Sequence, residues 1–307
     1  MDISVVIPVY GCPGALKELH DRLVKVFSEM HKTYEIILVN DHCPKNSIDV
    51  IREICEINQN TIGLDLSRNF GQQRAIMAGL DYSSGDNVIV MDCDLQDKPE
   101  DIPQMMKKLE EGYDIVFARN TNAKKLKFTS RVFYKVYAKA ANIKYDNRLS
   151  NFSVAKRVVV ESLCSMREVY RAYTGYIRWL GFKTGYVDVV RDNRKEGKSG
   201  YSFKKRLKLA MDILIAQSDL PIKTILLFGI FVTISSILVE IGFLIRSIII
   251  NEFYCLITPS IFASIFLGIG TLLVSVGVIG EYISRVFNQV KNRPLYVVRE
   301  KINDKNK

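Results

Sequence analysis

No C-x-x-C pair, no G-x-G-x-x-G and no G-x-x-x-x-G-K-[ST] occurs anywhere in the 307 residues. Without paired cysteines, the six at 12, 43, 55, 93, 164 and 255 read as reduced and either buried or incidental. That usage suits a cytosolic catalytic domain. Without either glycine pattern, dinucleotide and P-loop readings lack their phosphate cradle. A cleavable signal peptide is also missing: Met1 and Asp2 lead into a short strand, with no basic n-region and no long apolar run. Charge is plentiful but one-sided, with 43 Lys and Arg against 33 Asp and Glu. The net +10 suits phosphate and anionic lipid equally and chooses neither.

Apolar residues crowd into the last third, which leaves the earlier part as an ordinary globular α/β domain with chain enough for a sizeable core. Ile3 to Val9 is a β-branched run, and Leu16, Leu19, Leu23, Val26, Phe27 and Met30 follow at helical spacing. Tyr34 to Val39 predicts a second strand closing on Asn40-Asp41, and Thr61 to Leu66 a third. Helices are expected around Ile48–Cys55, Ala75–Leu80 and Ile102–Leu109, with a further strand over Tyr113–Ala118. Residues 151 to 192 return to mixed strand and helix. Strand and helix in alternation, with short connections, predict a doubly wound, mostly parallel α/β sheet.

The stretch that gives this layout a chemistry is NVIVMDCDLQDKPE, Asn87 to Glu100. A short buried strand ends in Asp92, Asp94 and Asp97, and carboxylates so close repel unless a cation sits among them. In an open α/β sheet ligands bind at the C-terminal ends of the strands. Alternation at 92, 94 and 96 can turn the oxygens of Asp92, Asp94 and Gln96 toward one hard cation, Mg²⁺ or Mn²⁺. A solvated acidic turn capping the next helix is the plainer alternative for a bare D-x-D. Further basic stretches run from Arg119 to Lys127 and from Arg194 to Tyr201, as mobile surface loop or as phosphate contact.

Two apolar stretches, about Thr224 to Ile245 and Phe253 to Gly280, each reach the roughly 20 residues that cross about 30 Å of hydrocarbon. The second carries no charge; the first holds Glu240. Lys204, Lys205, Arg206, Lys208 and Lys223 precede the pair, and Arg285, Lys291, Arg293 and Arg299 follow it. The loop between carries only Arg246 and Glu252. The positive-inside rule therefore predicts a multi-pass protein of the cell membrane with both termini cytosolic. Phe203 to Leu220 mixes Leu, Ile and Met with four basic residues and reads as an interfacial helix, with core packing as the alternative. The expected organisation is a catalytic domain over 1–202, an amphipathic segment over 203–221, two transmembrane helices over 222–284 and a basic cytosolic tail over 285–307.

Taken in order, these motifs resemble a family-2 glycosyltransferase of the GT-A fold. The similarity is strongest to the membrane-anchored branch that includes dolichyl-phosphate mannose synthase and bacterial polyprenyl-phosphate glucosyltransferases. It rests on VVIPVY, LVND, LSRNFG followed by A and AGL, MDCDLQD-x-PE, EGYDIVFAR, R-x-x-G-x-S-x-Y at Arg194 to Tyr201, and the C-terminal apolar pair. The chain departs from the family pattern at Asn40-Asp41 in place of Asp-Asp. It departs again at Gly11-Cys12 in place of Asn-Glu, and at Ser150-Asn151-Phe152 in place of Gly-Asp-Phe. A processive polysaccharide synthase is expected to carry Q-x-x-R-W; the nearest match, Gly175 to Trp179, lacks the Gln.

The resemblance implies an inverting transferase that uses a nucleotide-sugar to glycosylate a polyprenyl phosphate at the inner membrane face, for cell-surface glycan synthesis. Asp92, Asp94 and Gln96 would hold the metal against the donor diphosphate, and Pro8, Tyr10, Asp41 and Arg68 would frame the donor. Arg119, Arg131 and Arg194, with Ser130 and Ser199, would receive the acceptor phosphate, since the guanidinium fork fits phosphate oxygens. Asp97 is the candidate base should the acceptor be a hydroxyl of a lipid-linked saccharide instead. A non-catalytic membrane scaffold is the third reading, and the intact carboxylate loop speaks against it. Membrane lipid and a homo-oligomer are possible partners; nucleic acid is not expected.

Overall fold

β1 (Ile3–Val9) is buried along its whole length, as a central parallel strand must be when helices cover both faces. The computed structural model describes residues 1–122, 146, 148–167, 173–192, 220–250 and 257–303. Around β1 the order is β7-β5-β6-β4-β1-β2-β3-β8, with β2 at Tyr34–Asn40, β3 at Thr61–Leu66, β4 at Asn87–Val90 and β5 at Ile115–Asn120. β6 spans Leu149–Lys156, β7 Thr184–Val189 and β8 Val298–Ile302. β1 pairs in parallel with β2 and β4, β2 with β3, and β5 with β7. β6 runs antiparallel between β4 and β5, and β8 antiparallel on β3. The sheet is thus mostly parallel, as the alternation predicted, with antiparallel insertions that the periodicity did not announce.

Alternate residues of the central strands feed two cores. Ile3, Val5, Ile7 and Val9 join Ile36 and Leu38 on one face, beneath α1 (Pro13–Met30), α2 (Ser47–Ile57) and α4 (Ile102–Glu110). Val6, Ile37 and Val39 face the other way, beneath α3 (Gln72–Tyr82), α5 (Arg157–Ser165) and α6 (Tyr173–Trp179). Each fully buried Val, Leu or Ile side chain contributes about 1.5–3 kcal/mol. α3 lies so close to β1 that a Cβ at Gly79 would collide with the Val6 side chain.

The chain divides into two compact units, one holding the sheet together with the residues from Arg293 onward, the other Phe203–Asn292 apart from four earlier residues. The stretch set apart in the sequence as a tail therefore supplies β8, whose Arg299 pairs with the fully buried Asp65 of β3. Tyr296 Oη donates to Asp81 Oδ2 at 2.7 Å, and Ser67 N donates to Val297 O at 2.9 Å, so the return is anchored in several places. In the second unit α7 (Leu220–Ile250) lies against α8 (Ile257–Val290), with Gly229 facing Thr271. Among the described residues one stretch, Ser264–Val290, is long and apolar enough to cross a membrane, and Thr224–Val239 forms a shorter apolar run. The expected interfacial segment, 203–221, lies almost wholly outside the described residues.

One expectation is corrected. Cys12 and Cys93 are joined by a disulfide with their Cα atoms 6.4 Å apart, so not all cysteines are reduced. The fold brings the start of α1 beside the loop after β4, a juxtaposition of residues 81 positions apart. Cys43 and Cys55 are thiols outside this bond, and burial pushes the Cys55 thiol up to about 12.

Candidate active site

β1, β2 and β4 all end at one edge of the sheet, and the loops leaving them carry the polar residues singled out in the sequence. Pro8 is buried in β1 beside Val39, whereas Tyr10, just past its end, is 53% exposed and free to meet a ligand. Gly11, at φ +79°, turns the chain into α1, and its N–H donates to Cys43 Sγ at 3.1 Å.

Asp41 follows β2 and is almost fully buried. Its two carboxylate oxygens accept the N–H groups of Phe70 at 2.7 Å and Gly71 at 2.9 Å. Burial raises its pKa, partly offset by those two donors. Asp41 thereby fixes the 67–71 loop, in which the Arg68 guanidinium lies 4.7 Å from the centre of the Phe70 ring. Neighbouring Asn40 turns inward, donating to Asp65 Oδ1 at 2.7 Å while its Oδ1 accepts from Cys43 N at 3.2 Å.

The loop after β4 presents the carboxylates. Asp92 Oδ1 accepts from Gln72 Nε2 at 2.7 Å and from Asn151 Nδ2 at 3.3 Å, so α3 and β6 both orient it. Asp94, 7% exposed, accepts the N–H of Gln96 at 3.2 Å. Gln96 Nε2 donates to Asp192 O at 3.4 Å, which leaves the amide oxygen as its donor atom for a cation. Among the described residues no group of three His, Cys, Asp or Glu side chains has a metal-holding arrangement. Two carboxylates and an amide oxygen are nevertheless the hard oxygen set that Mg²⁺ or Mn²⁺ takes, with water completing the shell. The donor chemistry fits.

Asp97 sits deeper, 1% exposed. Arg191, two residues past β7, holds it: Nη2 donates to Oδ2 at 3.0 Å, and Nε lies 2.8 Å from Oδ1 at an angle too poor for a hydrogen bond. Burial is the largest influence on Asp97 and, with the charges of Asp92 and Asp94, pushes its carboxyl up to about 7 against the pull of Arg191.

Arg119, at the end of β5, makes a two-pronged pair with Asp188 of β7 at 2.6 and 2.8 Å. Hydrogen bonding to Arg119 holds Asp188 below the usual carboxylate range. Beside them Arg148 pairs with Asp146. Ser130, Arg131, Arg194 and Ser199, expected at the acceptor, lie outside the described residues. Gln72, Asn151 and Arg191 are the contributors that sequence reasoning missed; only Asn151 gave a signal, as a departure from the family pattern.

A sheet of this order, with a carboxylate loop at the carboxyl edge of its central strands, defines a GT-A-type sugar transferase. The chain belongs to glycosyl transferase family 2, whose model matches residues 4–162. It is 33% identical over 310 residues to the SfII prophage-derived bactoprenol glucosyl transferase of Shigella flexneri, covering 98% of each chain. To the undecaprenyl-phosphate 4-deoxy-4-formamido-L-arabinose transferase of Proteus mirabilis it is 30% identical over 303 residues, 97% of this chain and 93% of that one. The fold is shared with glucosyl-3-phosphoglycerate synthase of Mycobacterium tuberculosis, solved with Mn²⁺, UDP and phosphoglyceric acid. That match has a TM-score of 0.51 at 17% identity and covers 70% of this chain and 76% of that one.

Proposed function

We propose that the protein transfers a sugar, with inversion, from a nucleotide-sugar to a polyprenyl phosphate at the inner face of the cell membrane. The observation that carries this reading is the joining, in one chain, of the Asp92–Asp94–Gln96 loop to a long apolar helical pair. The relatives named for bactoprenol and undecaprenyl phosphate align over nearly the whole chain, apolar part included.

Asp92, Asp94 and Gln96 would hold Mg²⁺ or Mn²⁺, which when bound neutralises charge on the leaving diphosphate. Tyr10, Asp41 and Arg68 lie where the nucleoside would rest, Asp41 by fixing the 67–71 loop. A phosphate acceptor is already an anion and asks little of a general base. It needs cations, and Arg119 is one, an incoming phosphate competing with Asp188 for its fork. Arg131 and Arg194, with Ser130 and Ser199, complete the proposed set. Asp97, enclosed and gripped by Arg191, is poorly placed to take a proton from a hydroxyl acceptor, which favours the phosphate.

The return of the chain to the sheet supports an even number of crossings. It leaves the sheet-bearing unit before residue 203 and is back in it from Arg293, with β8 paired to β3. If α8 crosses, the proposed second crossing falls to α7, which is 31 residues long and contains the shorter apolar run Thr224–Val239.

The test is to incubate membranes containing the protein with labelled nucleotide-sugars and polyprenyl phosphate alone. A labelled lipid whose sugar is released by mild acid is expected, as for a glycosyl phosphate. If label instead extends a lipid-linked saccharide in an acid-stable linkage, the acceptor is a hydroxyl.

A further inference from the structure

The loop that carries Asp92, Asp94 and Gln96 does not hold its shape unaided. Leu95, in its middle, has φ +59°, the left-handed region that a branched side chain enters only at a cost. Such a conformation persists where the surroundings impose it. Leu95 is 2% exposed and belongs to the same apolar core as Val187 and Val189 of β7. The polar restraints arrive from the same direction. Arg191 grips Asp97 with two nitrogens, Asp192 N donates to Gln96 O at 3.1 Å, and Gln96 Nε2 returns a bond to Asp192 O. Lys98 Nζ closes the group 3.0 Å from Asp192 Oδ1. Residues 96 to 98 are thus bound at successive positions to Arg191 and Asp192, just past β7.

We propose that Arg191 is a positioning residue for the metal loop: through Asp97 it holds the strained 94–97 turn in the form that presents Asp94 and Gln96 to the cation. It touches neither the proposed metal nor the reacting sugar. Its effect passes through a buried carboxylate one residue from a ligand, as outer-sphere partners of metal ligands commonly act. One guanidinium N–H bonds Asp97 Oδ2 while Nε lies beside Oδ1 as a charge contact, so the planar cation spans both carboxylate oxygens; a lysine ammonium offers its charge at one point. Because the chain runs on from Asp192 directly toward Arg194, the same link ties the donor-side loop to the segment proposed for the acceptor. The inference rests on the metal-dependent transferase reading above.

The experiment measures Mn²⁺ binding to the full-length chain in detergent by electron paramagnetic resonance, alongside thermal unfolding. The variants are Arg191→Lys, Arg191→Met and the double variant Asp97→Asn/Arg191→Met. Arg191→Met alone leaves a buried carboxylate without its partner and is expected to lower the unfolding temperature. The double variant removes that unpaired charge and is expected to recover most of the lost temperature. Mn²⁺ affinity should stay 10- to 100-fold weaker in both, and fall several-fold in Arg191→Lys, which should unfold near the wild-type temperature. A double variant that binds Mn²⁺ within twofold of wild type would reduce Arg191 to a structural role and overturn the proposal. Wild-type protein that binds no Mn²⁺ would overturn the metal-dependent reading itself, a result distinct from the first because it appears before any substitution.

Discussion

Asp41 takes the backbone N–H groups of Phe70 and Gly71 on its two carboxylate oxygens, at 2.7 and 2.9 Å. In the proposed reading it serves the donor site by shaping this loop. Asp41→Asn retains one acceptor and sets an amide N–H₂ against the other donor, at a cost of about 1–2 kcal/mol. The KM for the nucleotide-sugar is expected to rise about tenfold, with a smaller change in kcat. Steady-state kinetics returning an unchanged KM would remove Asp41 from donor binding.

Asp94 is nearly enclosed and accepts the Gln96 N–H within the loop proposed to hold the metal. Asp94→Ala is expected to reduce transfer more than about 10³-fold, since metal stabilisation of a leaving diphosphate is worth several kcal/mol. Excess chelator should silence the wild-type enzyme, and Mn²⁺ or Mg²⁺ should restore it. Full turnover in chelator would contradict the assignment.

The Cys12–Cys93 bond closes a long loop between the start of α1 and the carboxylate loop. Peptide mapping of alkylated, unreduced protein is expected to recover these two cysteines cross-linked, and Cys12→Ser to abolish the species. The variant should lose about 2–4 kcal/mol of stability. Recovery of both as alkylated thiols would show the pair to be reduced in the isolated protein.

His20 offers a pH signature away from the site. It is buried on α1, its Nε2 meeting Thr61 Oγ1 at 3.1 Å and Asn58 Nδ2 at 3.2 Å, with Asp21 3.4 Å from Nδ1. Burial holds its pKa below the ordinary 6.5, only partly countered by Asp21. The unfolded chain therefore binds this proton more readily than the fold does. The contribution is fully present above 6.5 and is lost as pH falls through that value toward the lower folded pKa. Unfolding midpoints measured from pH 8 to 5 should fall less steeply for His20→Gln than for wild type. Parallel curves would count against it.

For the apolar pair, single cysteines placed near residue 2 and near residue 303 should be labelled by an impermeant reagent only after the membrane is opened from the cytosolic side. A cysteine near residue 252 should be labelled in intact cells. Labelling of residue 303 in intact cells would overturn the proposed even count of crossings.

The place of the carboxylate loop was legible in the sequence because a short apolar run ends at Asp92 and the polar stretch through Asp97 follows it at once. β1 and β3 were legible to the residue because β-branched residues and leucine dominate both, despite Ser4 and Pro8 in the first and Gly63 and Asp65 in the second. The partners that set the loop's geometry were not. Gln72, Asn151 and Arg191 meet Asp92 or Asp97 across 20, 59 and 94 positions, and no local periodicity records such contacts. β8 was missed for a different reason. Val298–Ile302 is a five-residue edge strand with three exposed charged residues at its centre, a composition that protects sheet edges and hides them from pattern reading.

That edge strand sets a timetable for synthesis. β3 emerges from the ribosome more than two hundred residues before β8, with the whole apolar pair between them. At about 5–20 residues per second the interval is on the order of tens of seconds. Until it ends, Asp65 is a carboxylate awaiting its arginine and one margin of the sheet has no neighbour. The sheet-bearing unit therefore cannot be finished before the apolar pair has been made, and until then its open margin is able to pair with something else.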